Sequence, residues 1–351
     1  MKQVLYGEQS RNPLARTVEL TESGLRRGGR TTPLDELNLA AMADAFLRGQ
    51  WLGGGGSERP LASLPPDRGI VPVTRVTGTS RPLKTRQSSA FARALGELAV
   101  RRCGGPDQVA ALAARAHAEG VPLWIARRYA HGPAGPVTVT VDRRSVRVDV
   151  WGPHAPAVRL RAPQGYLLDT PDRTGGLTLT VGDIPARLEL HNKFRKSKSK
   201  VEIRLPDRQW TLRRETAVSS SLLRDGTRIA VLTRPPRGTT PPPGTVLLPL
   251  ADVHHESPDP LDAVLAHAVA VSFGLGDTTG AARFRPRHRS RGTADDADWD
   301  QPWFSNLGRN RDDNESGGGD GWGSDGGDGG DGGGSGGGDG GGDGGGGGGG
   351  D

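Results

Sequence analysis

Four of the chain's six lysines fall in one decapeptide, HNKFRKSKSK (191–200), where Lys193, Lys196, Lys198 and Lys200 surround Arg195. Elsewhere arginine carries the positive charge: 46 Lys+Arg less those 6 Lys leaves 40 Arg. The cluster is therefore local and not a by-product of composition. In an extended hairpin, alternation would point Lys196, Lys198 and Lys200 one way and Ser197 and Ser199 the other. Such a comb can meet a phosphate-bearing surface, each charge contributing about 1 kcal/mol beside an anionic membrane. The plainer role is a solvated hairpin tip whose lysines block edge-to-edge pairing. A second comb, Arg283, Arg285, Arg287, Arg289 and Arg291, interleaves Phe284 and His288. It has the chemistry for phosphate neutralisation and weak stacking on nucleic acid. No helix-turn-helix, zinc-finger or RNA-recognition signature accompanies it, so any such binding would be nonspecific.

An acidic partner lies within the same chain. Residues 292–351 hold 14 Asp/Glu against 2 Arg, a net of −12, so the stated +6 divides into +18 for residues 1–291 and −12 beyond. Charge on this scale points to polyanions as partners of the body and lets the tail mask the combs. Residues 317–351 are 25 Gly, 7 Asp, 2 Ser and Trp322, a composition that predicts disorder. The expected partners are thus an anionic membrane surface or acidic partner, nonspecific nucleic acid, and the intramolecular acidic tail.

Catalytic and metal chemistry find less support. DVHHE (252–256) groups Asp252, His254, His255 and Glu256, but adjacent residues of a strand point to opposite faces. No Cys or distant third His has metal-site spacing. His267 could approach from a helix, yet a hydrogen-bonded core histidine is its simpler role. Cys103 falls at a predicted helix C-terminus, where the dipole disfavours a thiolate. GLGDTTG (274–280) follows a helix and lacks dinucleotide-fingerprint spacing, and GGGGSER (53–59) has no P-loop lysine. The expectation is a noncatalytic module with no catalytic residue, metal or cofactor. A scaffold with the tail as flexible spacer is the alternative, and a hydrolase with dispersed residues a third reading.

The elements that must position these residues change character along the chain. Residues 1–50 predict one helix, Pro33–Arg48, capped by Thr32 with Asp35 and Glu36 in its first turn. Residues 51–87, with GGGG at 53–56 and Pro65-Pro66, have a linker composition. Residues 88–130 predict a helical hairpin, Ser89–Cys103 and Pro106–Glu119, joined by Gly104-Gly105. From Pro136 the period becomes two: VTVTVD, SVRVDVW, AVRLR, GLTLTV, ARLELH, KVEIRL, QWTLRR, TRIAVLT and TVLLPL (245–250) alternate apolar and polar residues. The fold class is α+β: an antiparallel β-barrel or sandwich (136–251) with a buried helix (260–274), preceded by a small helical region. Asp259 caps that helix, Pro260 starts it, and LDAVLAHAVAVSFGL is apolar almost all round, as a buried helix requires. The barrel-like domain runs over 136–281, a basic-then-acidic linker over 282–316, and the Gly/Asp tail over 317–351.

RQWTLRRETAVSSSLLRDGTRIAVLTRP (208–235) followed by DPLDAVLAHAVAVSFGL (259–275) resembles the tubby-like barrel superfamily of tubby C-terminal domains, LURP-one-related proteins and phospholipid scramblases. The resemblance covers residues 136–275. It implies a barrel threaded by its last helix, with basic residues meeting phosphoinositide headgroups, although no headgroup motif is matched. The tail resembles actinobacterial proteins that end in Gly-rich runs, in keeping with the Arg-, Ala- and Pro-rich composition. One cysteine and an N-terminus without a long apolar run imply a cytoplasmic protein, peripheral to the membrane where it binds one.

Overall fold

The computed structural model describes residues 3–8, 17–142, 146–162, 176–234 and 251–282. The N-terminal part contains four antiparallel strands in sequential order, β1 (Val4–Gly7), β2 (Val18–Thr21), β3 (Gly24–Arg27) and β4 (Arg30–Pro33). Helix α1 (Leu39–Leu47) follows, then the hairpins β5 (Gln50–Leu52) with β6 (Glu58–Pro60) and β7 (Gly69–Thr74) with β8 (Ser80–Thr85). Helices α2 (Ser88–Arg102) and α3 (Pro106–Glu119) complete it.

This corrects the expectation for residues 1–87. The supposed linker supplies Trp51, Leu52, Val71, Val73 and Leu83 to one core shared with Val18, Leu20, Met42, Phe91, Leu95 and Leu98. The hairpin α2–α3 is therefore part of a mixed α/β unit. Its strands are three to six residues long, too short for a period to declare itself, and their flanking Gly and Pro imitate a linker. The Gly run is a tight turn: Gly55 and Gly56 have φ of 67° and 75°, and a methyl at Gly56 would overlap the Trp124 indole. Helix α1 starts later than expected because Asn38, not Thr32, caps it. The Asn38 side chain accepts from Ala41 N at 3.1 Å and donates to Leu123 O at 2.9 Å.

From Ala126 onward, eleven strands form a single antiparallel meander: β9 (Ala126–Gly132), β10 (Gly135–Asp142), β11 (Arg147–Trp151), β12 (Val158–Arg161), β13 (Thr178–Val181), β14 (Ile184–His191), β15 (Lys200–Arg204), β16 (Gln209–Arg214), β17 (Ser219–Arg224), β18 (Thr227–Thr233) and β19 (Asp252–His255). The sheet curls into a nearly closed barrel. Alternation sets which face turns inward: Val139 pairs Val150, Val150 pairs Val158, and Val158 pairs Val181, all buried. β9 and β17 lack that strict alternation and were not anticipated. The stretch TVLLPL lies outside the described residues, as do 283–316 and the tail.

Helix α4 (Pro260–Ser272) fills the barrel. Asp262–Ser272 are buried without interruption, and their apolar members from Val264 to Val271 share one core with residues of all eleven strands. Each buried Val or Leu contributes about 1.5–3 kcal/mol. Polar groups at both helix ends require partners, since an unmatched buried donor or acceptor costs about 1–3 kcal/mol. At the N-terminal end, Asp259 accepts from Leu261 N at 2.9 Å, as the sequence implies. Asp262, 2% exposed, accepts from Trp210 Nε1 at 2.9 Å, Arg224 at 2.7 Å and Ser257 Oγ at 2.7 Å. Beyond the C-terminal end, Ser220 Oγ accepts from Gly276 N at 2.8 Å and shares a hydrogen bond with Thr279.

The seam between β9 and β19 is bridged by imidazoles. The His131 carbonyl on β9 accepts from Nε2 of His255 on β19 at 3.2 Å and from Nε2 of His267 on α4 at 3.3 Å. A carbonyl has no proton to give, so both rings must be protonated at Nε2. Burial lowers the pKa of both histidines, that of His267 to about 4. An arginine cluster ties the barrel's outer face to α3. Asp149, its side chain 1% exposed, accepts from Arg147 Nε at 2.9 Å and from Arg161. Arg147 also donates to Gly120 O, and Arg127 donates to Val121 O at 2.6 Å.

Two outcomes follow for stability. Asp262→Ala strands the Trp210 N–H and leaves Arg224 with Asp259 as its one carboxylate partner, and is expected to cost about 2–4 kcal/mol in equilibrium denaturation. For His267, a folded-state pKa below the unfolded value means that stability is full above pH ~6.5 and is lost as pH falls towards about 4. The loss is roughly 3 kcal/mol. Denaturant midpoints measured against pH should show this slope, and His267→Gln, which keeps a donor, should flatten it.

Candidate functional site

The hairpins β14–β15 and β16–β17 turn at the same end of the barrel, where α4 also exits. Gly276, with φ of 59°, sits so close to the Ala217 carbonyl that a Cβ would overlap it. Asp277 N donates to Ala217 O at 3.2 Å, and Gly280 lies against His191, Ser199 and Lys200. The exit segment thus backs both hairpin turns.

The lysine decapeptide is the connection between β14 and β15. It does not adopt the anticipated extended comb. Residues Lys196–Lys198 form a 3-10 turn, so the alternation of side chains is broken. Ser199 is buried and closes the loop: its Oγ accepts from Lys193 N at 3.0 Å and donates to Lys193 O at 3.4 Å. Lys200 leaves the cluster, because its Nζ donates to Glu202 Oε1 at 2.7 Å. What remains is a compact projection of Lys193, Arg195, Lys196 and Lys198, all exposed. Among the described residues, none of these four cations has a carboxylate within salt-bridge distance.

Phe194 stands at the centre of this group with 104% relative exposure. Val218, 52% exposed, occupies the neighbouring β16–β17 turn. That turn is built by Thr216 Oγ1, which accepts from Val218 N at 3.2 Å and Ser219 N at 3.0 Å. Exposed Arg213 on β16 faces Lys200 across the ladder. The rim therefore combines apolar tips with surrounding cations. Phe194 could have been singled out as the sole Phe, Tyr or Trp within the basic decapeptide; Val218 has no comparable signal, because only the hairpin order brings its turn to the same end of the barrel.

Below the rim, β14 and β15 carry a charged ladder in which Arg187 faces Arg204, Glu189 faces Glu202, and His191 faces Lys200. Glu189, His191 and Glu202 place one ligand atom each within 4.8 Å of the others. Their donor types suit a divalent cation. The carboxylates, however, already have other partners: Glu202 meets Lys200 at 2.7 Å, the His191 ring at 3.1 Å and Arg204 at 3.3 Å, and Glu189 meets Arg187 at 2.7 Å. The hydrogen bond from Lys200 is the main cause holding Glu202 below the ordinary carboxylate range. The arrangement is an ion-pair ladder supporting the loop.

The remaining sequence candidates separate. His255 and His267 do approach, with ring centroids 5.4 Å apart, while His254 on the same strand is exposed. Both rings serve the seam. Cys103 is half-buried beside the end of α2, and burial pushes its thiol up, which disfavours a nucleophile. Arg283, Arg285, Arg287, Arg289 and Arg291 lie outside the described residues. No helix among those described is long and apolar enough to cross a membrane. Comparison with protein-family models, curated proteins and solved structures finds no match to this chain.

The loop cations and the ladder beneath them should respond differently to mutation. Replacing Lys193, Lys196 and Lys198 together by Gln is expected to leave stability within about 0.5 kcal/mol. Glu202→Ala, which removes the shared acceptor of Lys200, His191 and Arg204, should cost about 1–2 kcal/mol. Thermal unfolding of the two variants distinguishes them.

Proposed function

We propose that this protein is a noncatalytic binding module that docks one end of its barrel on an anionic, phosphate-bearing membrane surface. The observation that carries the reading is the fully exposed Phe194 amid Lys193, Arg195, Lys196 and Lys198. Solvated lysines suffice to protect a hairpin tip; they do not account for a phenylalanine held in water in the same loop. An aromatic side chain ringed by basic residues suits the bilayer interface, where the ring enters the acyl boundary and the cations meet headgroup phosphates. Burying the ring is worth about 1.5–3 kcal/mol and each cation about 1 kcal/mol, which favours reversible association over permanent anchoring. The resemblance to tubby-like barrels, a group that includes lipid-binding proteins, supports the same ligand class. In this reading the 292–351 segment, with its net charge of −12, competes with the membrane for the basic rim.

Sedimentation with equimolar phosphatidylserine/phosphatidylcholine vesicles tests the proposal. The full chain should pellet with these vesicles at low salt, not with phosphatidylcholine alone, and raised salt should release it. Phe194→Ala should weaken binding at least tenfold, and removal of residues 292–351 should strengthen it. Equal pelleting with neutral vesicles would sink the proposal. So would indifference to Phe194→Ala coupled with retained binding to duplex DNA, an outcome that assigns the cations to nucleic acid.

A further inference from the structure

The lysine loop carries two serines with opposite environments. Ser199 is 1% exposed, and its hydroxyl is engaged with the Lys193 backbone. Ser197 is exposed in the middle of the 3-10 turn, directly between Lys196 and Lys198 and two residues after Arg195. The loop around it is held by little: Lys198 N donates to Arg195 O at 2.9 Å and Ser199 N to Lys196 O at 3.0 Å. Neither bond belongs to the barrel ladder and Ser199 engages only the Lys193 backbone, so residues 194–198 can extend into another protein's cleft without opening a strand pair.

We propose that Ser197 is a phosphorylation site for a protein kinase that recognises basic residues preceding its target, and that the modification releases the rim from anionic membranes. The regulatory part rests on the docking reading above. Arg195 and Lys196 supply the charges that an acidic kinase cleft selects. The Ser197 Oγ attacks the γ-phosphorus of ATP, forming an Oγ–P bond as the bond between that phosphorus and the β,γ-bridging oxygen breaks. ADP leaves, and the hydroxyl proton passes to the kinase's catalytic base. A phosphatase reverses the step by hydrolysis to inorganic phosphate. The phosphoserine brings about −1.5 to −2 charges into a loop whose four exposed cations are Lys193, Arg195, Lys196 and Lys198, cancelling nearly half of their charge. It also places a strongly hydrated group close in sequence to Phe194, opposing insertion of the ring.

The test treats the full chain with the catalytic subunit of a basic-directed Ser/Thr kinase and magnesium ATP, maps the phosphate by mass spectrometry, and repeats the vesicle sedimentation. Phosphate is expected on Ser197 and not on Ser199. Affinity for the equimolar phosphatidylserine/phosphatidylcholine vesicles should fall roughly 10- to 30-fold, from about 1 kcal/mol per charge lost. Ser197→Ala should abolish the kinase effect, and Ser197→Glu should weaken binding without kinase. Phosphate appearing elsewhere while Ser197 stays unmodified overturns the site. Unchanged sedimentation of Ser197-phosphorylated protein overturns the switch alone. Failure of the unmodified chain to sediment overturns the docking reading and the switch together, while mapping still decides whether Ser197 is the acceptor.

Discussion

A helix can occupy the inside of a barrel only if the strands around it satisfy every polar group it brings there. Helix α4 meets this constraint with a carboxylate at one end, a histidine in the middle and a hydroxyl-backed turn beyond the other. Asp262 is held by Trp210 and Arg224 from β16 and β17. His267 shares the His131 carbonyl with His255. Ser220 receives the exit segment through Gly276 and Thr279. These attachments fix the helix axially as well as laterally, which apolar packing alone would do less well because its energy changes slowly with sliding.

That fixation reaches the rim. The exit segment after α4 packs behind the β16–β17 turn and beside the base of the β14–β15 loop. Buried Ser199 and the Glu202 ladder hold that loop from below. The projecting residues 193–198 are therefore presented on a rigid base, although the projection itself makes few bonds. A surface of this kind can meet a flat partner without first reorganising the barrel, which lowers the ordering cost of binding.

Much of the barrel was legible because half-buried strands carry a two-residue period. Val137 and Val139 against Thr138 and Thr140 set both the existence and the inward face of β10, and Asp259-Pro260 set the start of α4. In the N-terminal part the helices α1, α2 and α3 were legible, α1 with a later start, while most of the strands were not. Its strands are short, its glycines close turns, and burial of Trp51 against Val71 depends on contacts that no local pattern announces. For the rim, the basic cluster was visible, but its composition changed on folding. Lys200 was withdrawn by Glu202, two residues further along the same strand and on the same face, and Ser199 was drawn inside. Val218 joined through hairpin order, a property of the assembled meander.

The meander has a consequence for how the chain reaches this state. Each barrel strand pairs only with its neighbours in sequence, so the ladder has local connectivity and can grow hairpin by hairpin, with short closures everywhere except between β12 and β13 and between β18 and β19. The helix that fills the interior comes after the last strand, and the contact that closes the seam joins His131 to His255 and His267 across more than a hundred residues. During synthesis every strand of the sheet leaves the ribosome before its filling does. The apolar residues of the inner face therefore gain their own occupant only when α4 follows β19 out.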